Sequence, residues 1–116
     1  MRRALLLLLL FLGPGPLLAA EKIASQQIGF GLDVAQKGLW QEARFRFERA
    51  VELDPHNAAA LNDLAVSLEQ MGEFDKALQS YEKALKIKPG DLYIQQNFDL
   101  FREADDKRNR KSRRKK

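Results

Sequence analysis

The sequence contains no cysteine and a single histidine, His56. Without cysteine, the chain has no disulfide, no thiolate nucleophile and no Cys-ligated zinc. One histidine does not make a metal site or a catalytic triad, and His56 stands in the turn-like context Pro-His-Asn, where an exposed loop residue is expected. No Gly-rich phosphate loop, nucleophile elbow or metal-ligand spacing occurs either. The sequence therefore predicts a protein that is not an enzyme and that has no cofactor and no metal site.

The positive net charge of +4 is concentrated at one end of the chain. Residues 107–116, "KRNRKSRRKK", carry eight positive charges and no negative ones. Residues 21–106 hold ten Lys/Arg against sixteen Asp/Glu, a net charge of −6. The body is thus mildly acidic, which argues against a basic nucleic-acid-binding domain.

The first 20 residues, "MRRALLLLLLFLGPGPLLAA", have the order of a secretory signal peptide: two arginines, nine apolar residues, a Gly-Pro break and small residues. The apolar run would span about 14 Å as a helix, roughly half of a bilayer core. We therefore expect residues 1–20 to be a cleaved signal and the protein to be periplasmic or secreted. Cleavage after Ala20 would leave Leu18 at a position that prefers small residues, so the alternative is an uncleaved membrane anchor.

The chain repeats itself with a spacing of 34 residues. The string "GLWQEARFRFERAVELDP", residues 38–55, aligns with "GEFDKALQSYEKALKIKP", residues 72–89. The identical positions are Gly38/Gly72, Ala43/Ala77, Glu48/Glu82, Ala50/Ala84 and Pro55/Pro89. Trp40/Phe74 and Phe47/Tyr81 match in shape. A duplication of this kind predicts two copies of one structural unit.

Glycine and proline punctuate each unit. Gly38 and Gly72 stand where a first helix must end in a left-handed residue, and Pro55 and Pro89 follow second helices that they cannot continue. The positions that follow favour N-caps and hold Asn57 and Asp91. Small residues such as Gly31, Ala43 and Ala50 would let the paired helices approach closely beside the aromatic rings. Each unit is therefore predicted to be an antiparallel helix pair.

These residues resemble the tetratricopeptide repeat, with full copies at 24–57 and 58–91. The first copy departs from the second at Gln27, where the second has Leu61. The resemblance implies an all-α fold, an α-solenoid of antiparallel helix pairs. After Pro89, the stripe Ile94, Phe98 and Phe101 predicts a lone capping helix over about 92–107, giving five helices within residues 22–107.

Two repeats lie near the lower limit of stability for such arrays. Either the capping helix makes the two-repeat domain stable, or the open edge of the first repeat pairs with another copy of the chain or with a partner. That edge would present Ile23, Gln27, Phe30 and Val34.

The resemblance also implies a binding surface on the concave side, where another protein would lay a peptide or a helix. The predicted groove residues are Ile28, Leu32, Ala35, Asn62, Val66, Glu69, Tyr93, Gln96 and Leu100. The alternative for each is packing between helices. The Lys/Asn/Arg clamp by which one subgroup of the family grips chaperone carboxylates is absent, because the aligned positions include Leu32, Asp63 and Tyr93. The sequence thus favours an exported protein–protein interaction scaffold.

The terminal segment 107–116 is predicted to be a basic disordered tail, with extension of the last helix as the alternative. Its cations are Lys107, Arg108, Arg110, Lys111, Arg113, Arg114, Lys115 and Lys116. They would attract an anionic membrane or polymer, which gives an alternative function with the repeats as a spacer. Nucleic acid is the least favoured partner, because the segment has no aromatic residue to stack on bases. Export would also separate the protein from nucleic acid.

Overall fold

The computed structural model describes residues 15–116 of the chain, and the greater part of the predicted signal peptide lies outside them. The described part folds into five α-helices with no strand among them. They are α1 (Pro16–Gln36), α2 (Trp40–Leu53), α3 (Ala58–Gln70), α4 (Phe74–Ile87) and α5 (Leu92–Arg114). Successive helices pack pairwise, α1 on α2 and α3 on α4, which confirms the predicted all-α solenoid.

The first helix of each pair ends in the same way. Gly38 and Gly72 have φ angles of 75° and 76°, the left-handed conformation that glycine adopts without strain. In the first repeat, the Leu39 amide donates to the carbonyl of Val34 at 3.0 Å and the Gly38 amide donates to Ala35 at 2.9 Å. This pair of bonds is a Schellman motif, and it recurs around Gly72. Both glycines act as the sequence predicts.

The paired helices cross closely because one of the facing residues is small. A Cβ atom placed on Gly31 would lie 2.8 Å from Cδ1 of Phe47, which is far inside van der Waals contact. The equivalent residues of the second repeat, Ala65 and Tyr81, are buried in one apolar cluster. The aromatic ring of each second helix thus lies against a small residue of the first helix.

The second repeat is covered by α5. Tyr81 and Phe101 are both buried, and their ring centroids are 5.4 Å apart. About two turns nearer the N-terminus of α5, Ile94 is buried with Leu61 and Ala84. The stripe on α5 therefore closes the apolar edge of the last full repeat, as predicted for a capping helix.

The α5 helix continues to Arg114, so the segment predicted to be a disordered tail is helical almost to its end. Between Leu92 and Arg114 the sequence has neither glycine nor proline, and Lys and Arg are good helix formers. Cations near the C-terminus also complement the helix dipole. The capping helix consequently extends well beyond the predicted boundary at residue 107.

The α1 helix starts earlier than the predicted boundary at residue 22. It begins at Pro16, so the Ala20–Glu21 bond, at which cleavage is predicted, lies inside the helix. Its buried residues are Ala24 and Gly31, both beyond that bond. Over residues 15–116, none of the helices combines the length and apolar character that crossing a bilayer requires.

Candidate partner-binding groove

A groove of about 230 Å³ lies between the two repeats and α5. Residues of α1, α2, α3 and α5 line it: Leu32, Ala35, Gln36, Trp40, Phe47, Asp63, Val66 and Tyr93. Leu32 is 45% exposed and Tyr93 is 64% exposed, so two large apolar side chains of the groove are open to solvent. Such exposed apolar surface in a concave position is typical of a protein-binding site.

Four of the predicted groove residues line this space: Leu32, Ala35, Val66 and Tyr93. Gln36 and Asp63, on the first helices of the repeats, complete the lining with Trp40 and Phe47. The prediction misses Trp40 and Phe47, because the resemblance places binding residues on the first helices and the cap helix. Both belong to α2, and the Phe47 ring lies against Gly31 of α1. Their matched positions in the repeat are the available signal, although the sequence alone favours a packing role for both.

The remaining predicted groove residues do not line this space. Leu100 and Gln96 are exposed on α5, whereas Ile28 is half-buried against the cluster around Ala24 and Ala50. Glu69 is half-buried and accepts a hydrogen bond from the Tyr81 hydroxyl at 3.1 Å. Leu100 and Gln96 are therefore accessible to a partner, while Ile28 and Glu69 are partly committed to contacts within the chain.

Asn62 was predicted to contact a partner, but it is only 1% exposed. Its Oδ1 accepts a hydrogen bond from Asn97 Nδ2 at 3.1 Å, and its Nδ2 donates to Asp63 Oδ1 at 3.3 Å. A buried amide needs such partners, because an unpaired polar group away from water is costly. Asn62 thus joins α3 to α5 and orients Asp63 instead of contacting a ligand.

Asp63 is the carboxylate of the groove. Burial raises the pKa of Asp63 to about 6, and the hydrogen bond from Asn62 opposes this shift. Burial also raises the pKa of Tyr81 well above its usual range, and the nearby charges of Glu69 and Asp63 act in the same direction. Asp63 is the acidic residue of the groove lining, and the lining contains no lysine or arginine.

The basic end of α5 divides into two parts. The guanidinium carbon of Arg108 lies 3.5 Å from the ring centroid of Phe74, and Arg108 also donates to Asp105 at 3.2 Å. Lys107 pairs with Glu103 at 2.9 Å, which lowers the pKa of that carboxyl. These two residues thus have partners within the domain, and Arg108 contributes to the cap. Arg108 is half-buried and Lys107 is exposed, as are the six cations that follow them: Arg110, Lys111, Arg113, Arg114, Lys115 and Lys116.

The open edge of the first repeat is partly apolar. Ile23 and Phe30 are exposed on it, whereas Gln27 and Val34 are half-buried. The Arg46 guanidinium lies 5.7 Å from the Phe30 ring centroid, and its Nη1 donates to Gln27 Oε1 at 3.3 Å. The edge therefore carries a cation stacked on its main aromatic residue.

Comparison with known proteins agrees with the repeat architecture. A family model described as "Tetratricopeptide repeat" matches residues 28–91. The crystal structure of the MamA protein superposes with a TM-score of 0.67 at 30% identity, over 80% of this chain and 50% of that one.

Curated relatives match over about half of the chain. A probable UDP-N-acetylglucosamine–peptide N-acetylglucosaminyltransferase SPINDLY from Petunia hybrida is 36% identical over 53% of this chain and 7% of its own length. Anaphase-promoting complex subunit 3 from Schizosaccharomyces pombe is 30% identical over 51% of this chain and 9% of its own length. The chain spans less than a tenth of either relative, so the transferase activity named for the first is not carried over.

The family model matches within the two repeats, and repeats of this kind support a protein–protein interaction scaffold. Because the family model covers more than half of the 116 residues and the folds superpose, the chain belongs to the tetratricopeptide repeat family.

Proposed function

We propose that the protein is an adaptor that binds a segment of another protein in the groove between its two repeats and α5. The observation that carries this proposal is the exposure of Leu32 and Tyr93 on either side of a concave, mainly apolar space. A volume of about 230 Å³ is smaller than the usual pocket for a cofactor-sized ligand, roughly 300–1,000 Å³, and is open to solvent. One or two side chains of a peptide or helix fit such a site, and no catalytic role is proposed.

The test is selection of a phage-displayed library of 12-residue peptides against the immobilised chain, followed by affinity measurements on the selected peptides. The double variant Leu32→Asp/Val66→Asp should weaken binding at least about tenfold, because it places charge on the apolar walls. Leu92→Asp controls for an aspartate added elsewhere on the surface, since Leu92 is exposed on α5 and does not line the groove. Equal affinities for the wild-type protein and the double variant, both folded by circular dichroism, would overturn the groove assignment.

We also propose that the adaptor is exported, with residues 1–20 as its signal. The N-terminal segment supports this by its composition, and the packing is compatible with cleavage after Ala20 because the buried residues of α1 lie beyond it. Mass spectrometry of the protein isolated from its native compartment should give Glu21 as the first residue. An intact N-terminus on membrane-bound protein would favour the anchor instead.

A second candidate function is association with an anionic surface through the end of α5. The six exposed cations between Arg110 and Lys116 support it, since they are carried on a helix that projects beyond the last packed residue. Binding to vesicles with phosphatidylserine should then fall with salt and disappear when residues 110–116 are removed. Binding that survives this deletion would exclude the tail as the contact.

Self-association through the edge of the first repeat is the remaining proposal, supported by the exposure of Ile23 and Phe30. The molecular size in solution should then increase with protein concentration, and Phe30→Asp should return it to the size of a monomer. A monomeric size over the whole concentration range would exclude it.

A further inference from the structure

Asp63 has no cationic partner in the described part of the chain. The ion pairs formed within residues 15–116 all involve other carboxylates, and none of the residues that line the groove is lysine or arginine. The hydrogen bond to Asp63 comes from the neutral amide of Asn62 and is long, at 3.3 Å. A half-buried carboxylate with so little compensation leaves a place for a positive charge.

We propose that the groove selects a protein segment in which a lysine or arginine is flanked by apolar residues, with the cation paired to Asp63. This inference rests on the proposed function and adds the chemistry of the partner. The apolar stem of the basic side chain would pack on Leu32 and Val66, while its charged end reaches the carboxylate.

The surroundings of Asp63 reinforce the preference for a cation. Glu69 lies on the same helix and contacts Tyr81, and both carboxylates are close enough to the Tyr81 hydroxyl to shift its pKa. Tyr93 adds an exposed aromatic ring to the wall of the groove, and a ring face attracts an ammonium or guanidinium group. An anionic partner residue would meet only repulsion at this end of the groove.

The cost of retaining Asp63 also fits a binding role. Burial raises its pKa to about 6, so at neutral pH the folded protein keeps a poorly solvated charge. Residues that reduce stability in this way are frequent at functional sites. An incoming cation would stabilise the charged form and remove much of the cost.

A second copy of the chain is the competing occupant, because its basic end offers many cations. That segment, "KRNRKSRRKK", has no apolar residue to lie on Leu32, Val66 and Tyr93. The apolar walls therefore favour a segment of different composition.

The experiment uses the same phage-displayed 12-residue library with the wild-type protein, Asp63→Asn and, as a matched control, Asp75→Asn. Asp75 is exposed on α4 and does not line the groove, so its substitution changes the net charge equally. Wild type and Asp75→Asn should select peptides with a Lys or Arg between apolar residues. Selection on Asp63→Asn should lose the basic position and keep the apolar ones.

A double-mutant cycle then measures the pairing directly. The basic residue of one selected peptide is replaced by norleucine, and both peptides are titrated against wild type and Asp63→Asn. We expect the replacement to weaken binding about tenfold in the wild type and hardly at all in Asp63→Asn. An equal loss in both proteins, or selected peptides without any basic preference, would overturn the proposal.

The outcomes separate this inference from the proposed function. If Leu32→Asp/Val66→Asp abolishes binding while Asp63→Asn does not alter the selected motif, the groove is right and the cation site is wrong. If neither variant affects binding, the proposed function itself fails. The full chain could instead form a dimer that dissociates both in Asp63→Asn and when residues 107–116 are removed. That result would assign the site to a second copy of the chain and overturn the proposal of a segment from another protein.

Discussion

The two repeats have the same 34-residue spacing but differ in how deeply matched positions are buried. Phe30 in α1 is 57% exposed, whereas its counterpart Leu64 in α3 packs on the core. Gln27 is half-buried, whereas its counterpart Leu61 is 5% exposed. The second repeat has a neighbour on both sides, the first repeat and α5, while the first repeat has one. Burial in a solenoid is therefore set by what stacks on each face as well as by the repeat pattern.

The repeats also differ where the groove is formed. Position 63 holds the carboxylate of the groove, and the matched position 29 holds a glycine with open space around it. Shared positions such as Gly38 and Gly72 determine the scaffold. The positions that differ determine what the groove recognises.

The largest expected effect follows from removing an aromatic residue that covers the second repeat. Phe101→Ala should lower the free energy of unfolding by about 3–5 kcal/mol, because Phe101 is buried against Tyr81. Phe30→Ala, at the open edge, should cost less than about 1 kcal/mol. Urea unfolding followed by circular dichroism measures both. Similar losses for the two variants would mean that the first repeat is covered by another copy.

Asp63→Asn should stabilise the isolated protein at neutral pH, by up to about 3 kcal/mol. Its folded-state pKa, about 6, lies above the ordinary value of 3.8. Below pH 3.8 the carboxyl therefore does not lower the free energy of unfolding. As the pH rises from 3.8 through 6, the free energy of unfolding of the wild-type protein falls. The advantage of the Asn variant should be large at pH 7 and should nearly vanish at pH 4, as measured by urea unfolding at both values. A difference that does not vary with pH would contradict the desolvated carboxylate.

Local patterns predicted the helix ends and the cores, because each depends on residues close in sequence or on the repeat spacing. The left-handed Gly38 and the small residue beneath Phe47 are of this kind. The burial of Asn62 was not predictable, since it depends on a hydrogen bond from Asn97, 35 residues away. Arg108 was likewise assigned to a free tail, although it stacks on Phe74 once α5 continues as a helix. Composition indicates that such residues are polar, but their partners follow from the packing of distant helices.

Gly31→Ala should be destabilising, by about 1–2 kcal/mol, even though alanine is the better helix former. Its Cβ would overlap the ring of Phe47, which is buried and has little room to move. Gly29→Ala is the matched control, because nothing lies within 4 Å of a Cβ at that position. It should stabilise α1 by about 0.5–1 kcal/mol. Thermal unfolding of both variants tests the close approach, which would be refuted if Gly31→Ala also gained stability.

The smallest expected effect concerns the junction between the repeats. Asn57 Oδ1 accepts a hydrogen bond from the Ala60 amide at 3.0 Å and thereby caps α3. Asn57→Ala should therefore cost about 1 kcal/mol, while His56→Ala beside it, at an exposed turn position, should cost nearly nothing. Asp91→Ala removes the matching cap of α5, where the Ile94 amide donates at 3.1 Å. The α3 helix lies between two neighbours, whereas α5 has a neighbour on one side only. Hydrogen exchange should therefore show more fraying at the start of α5 in Asp91→Ala than at the start of α3 in Asn57→Ala. Equal fraying at both helix starts would mean that stacking on two sides does not protect a helix that has lost its cap.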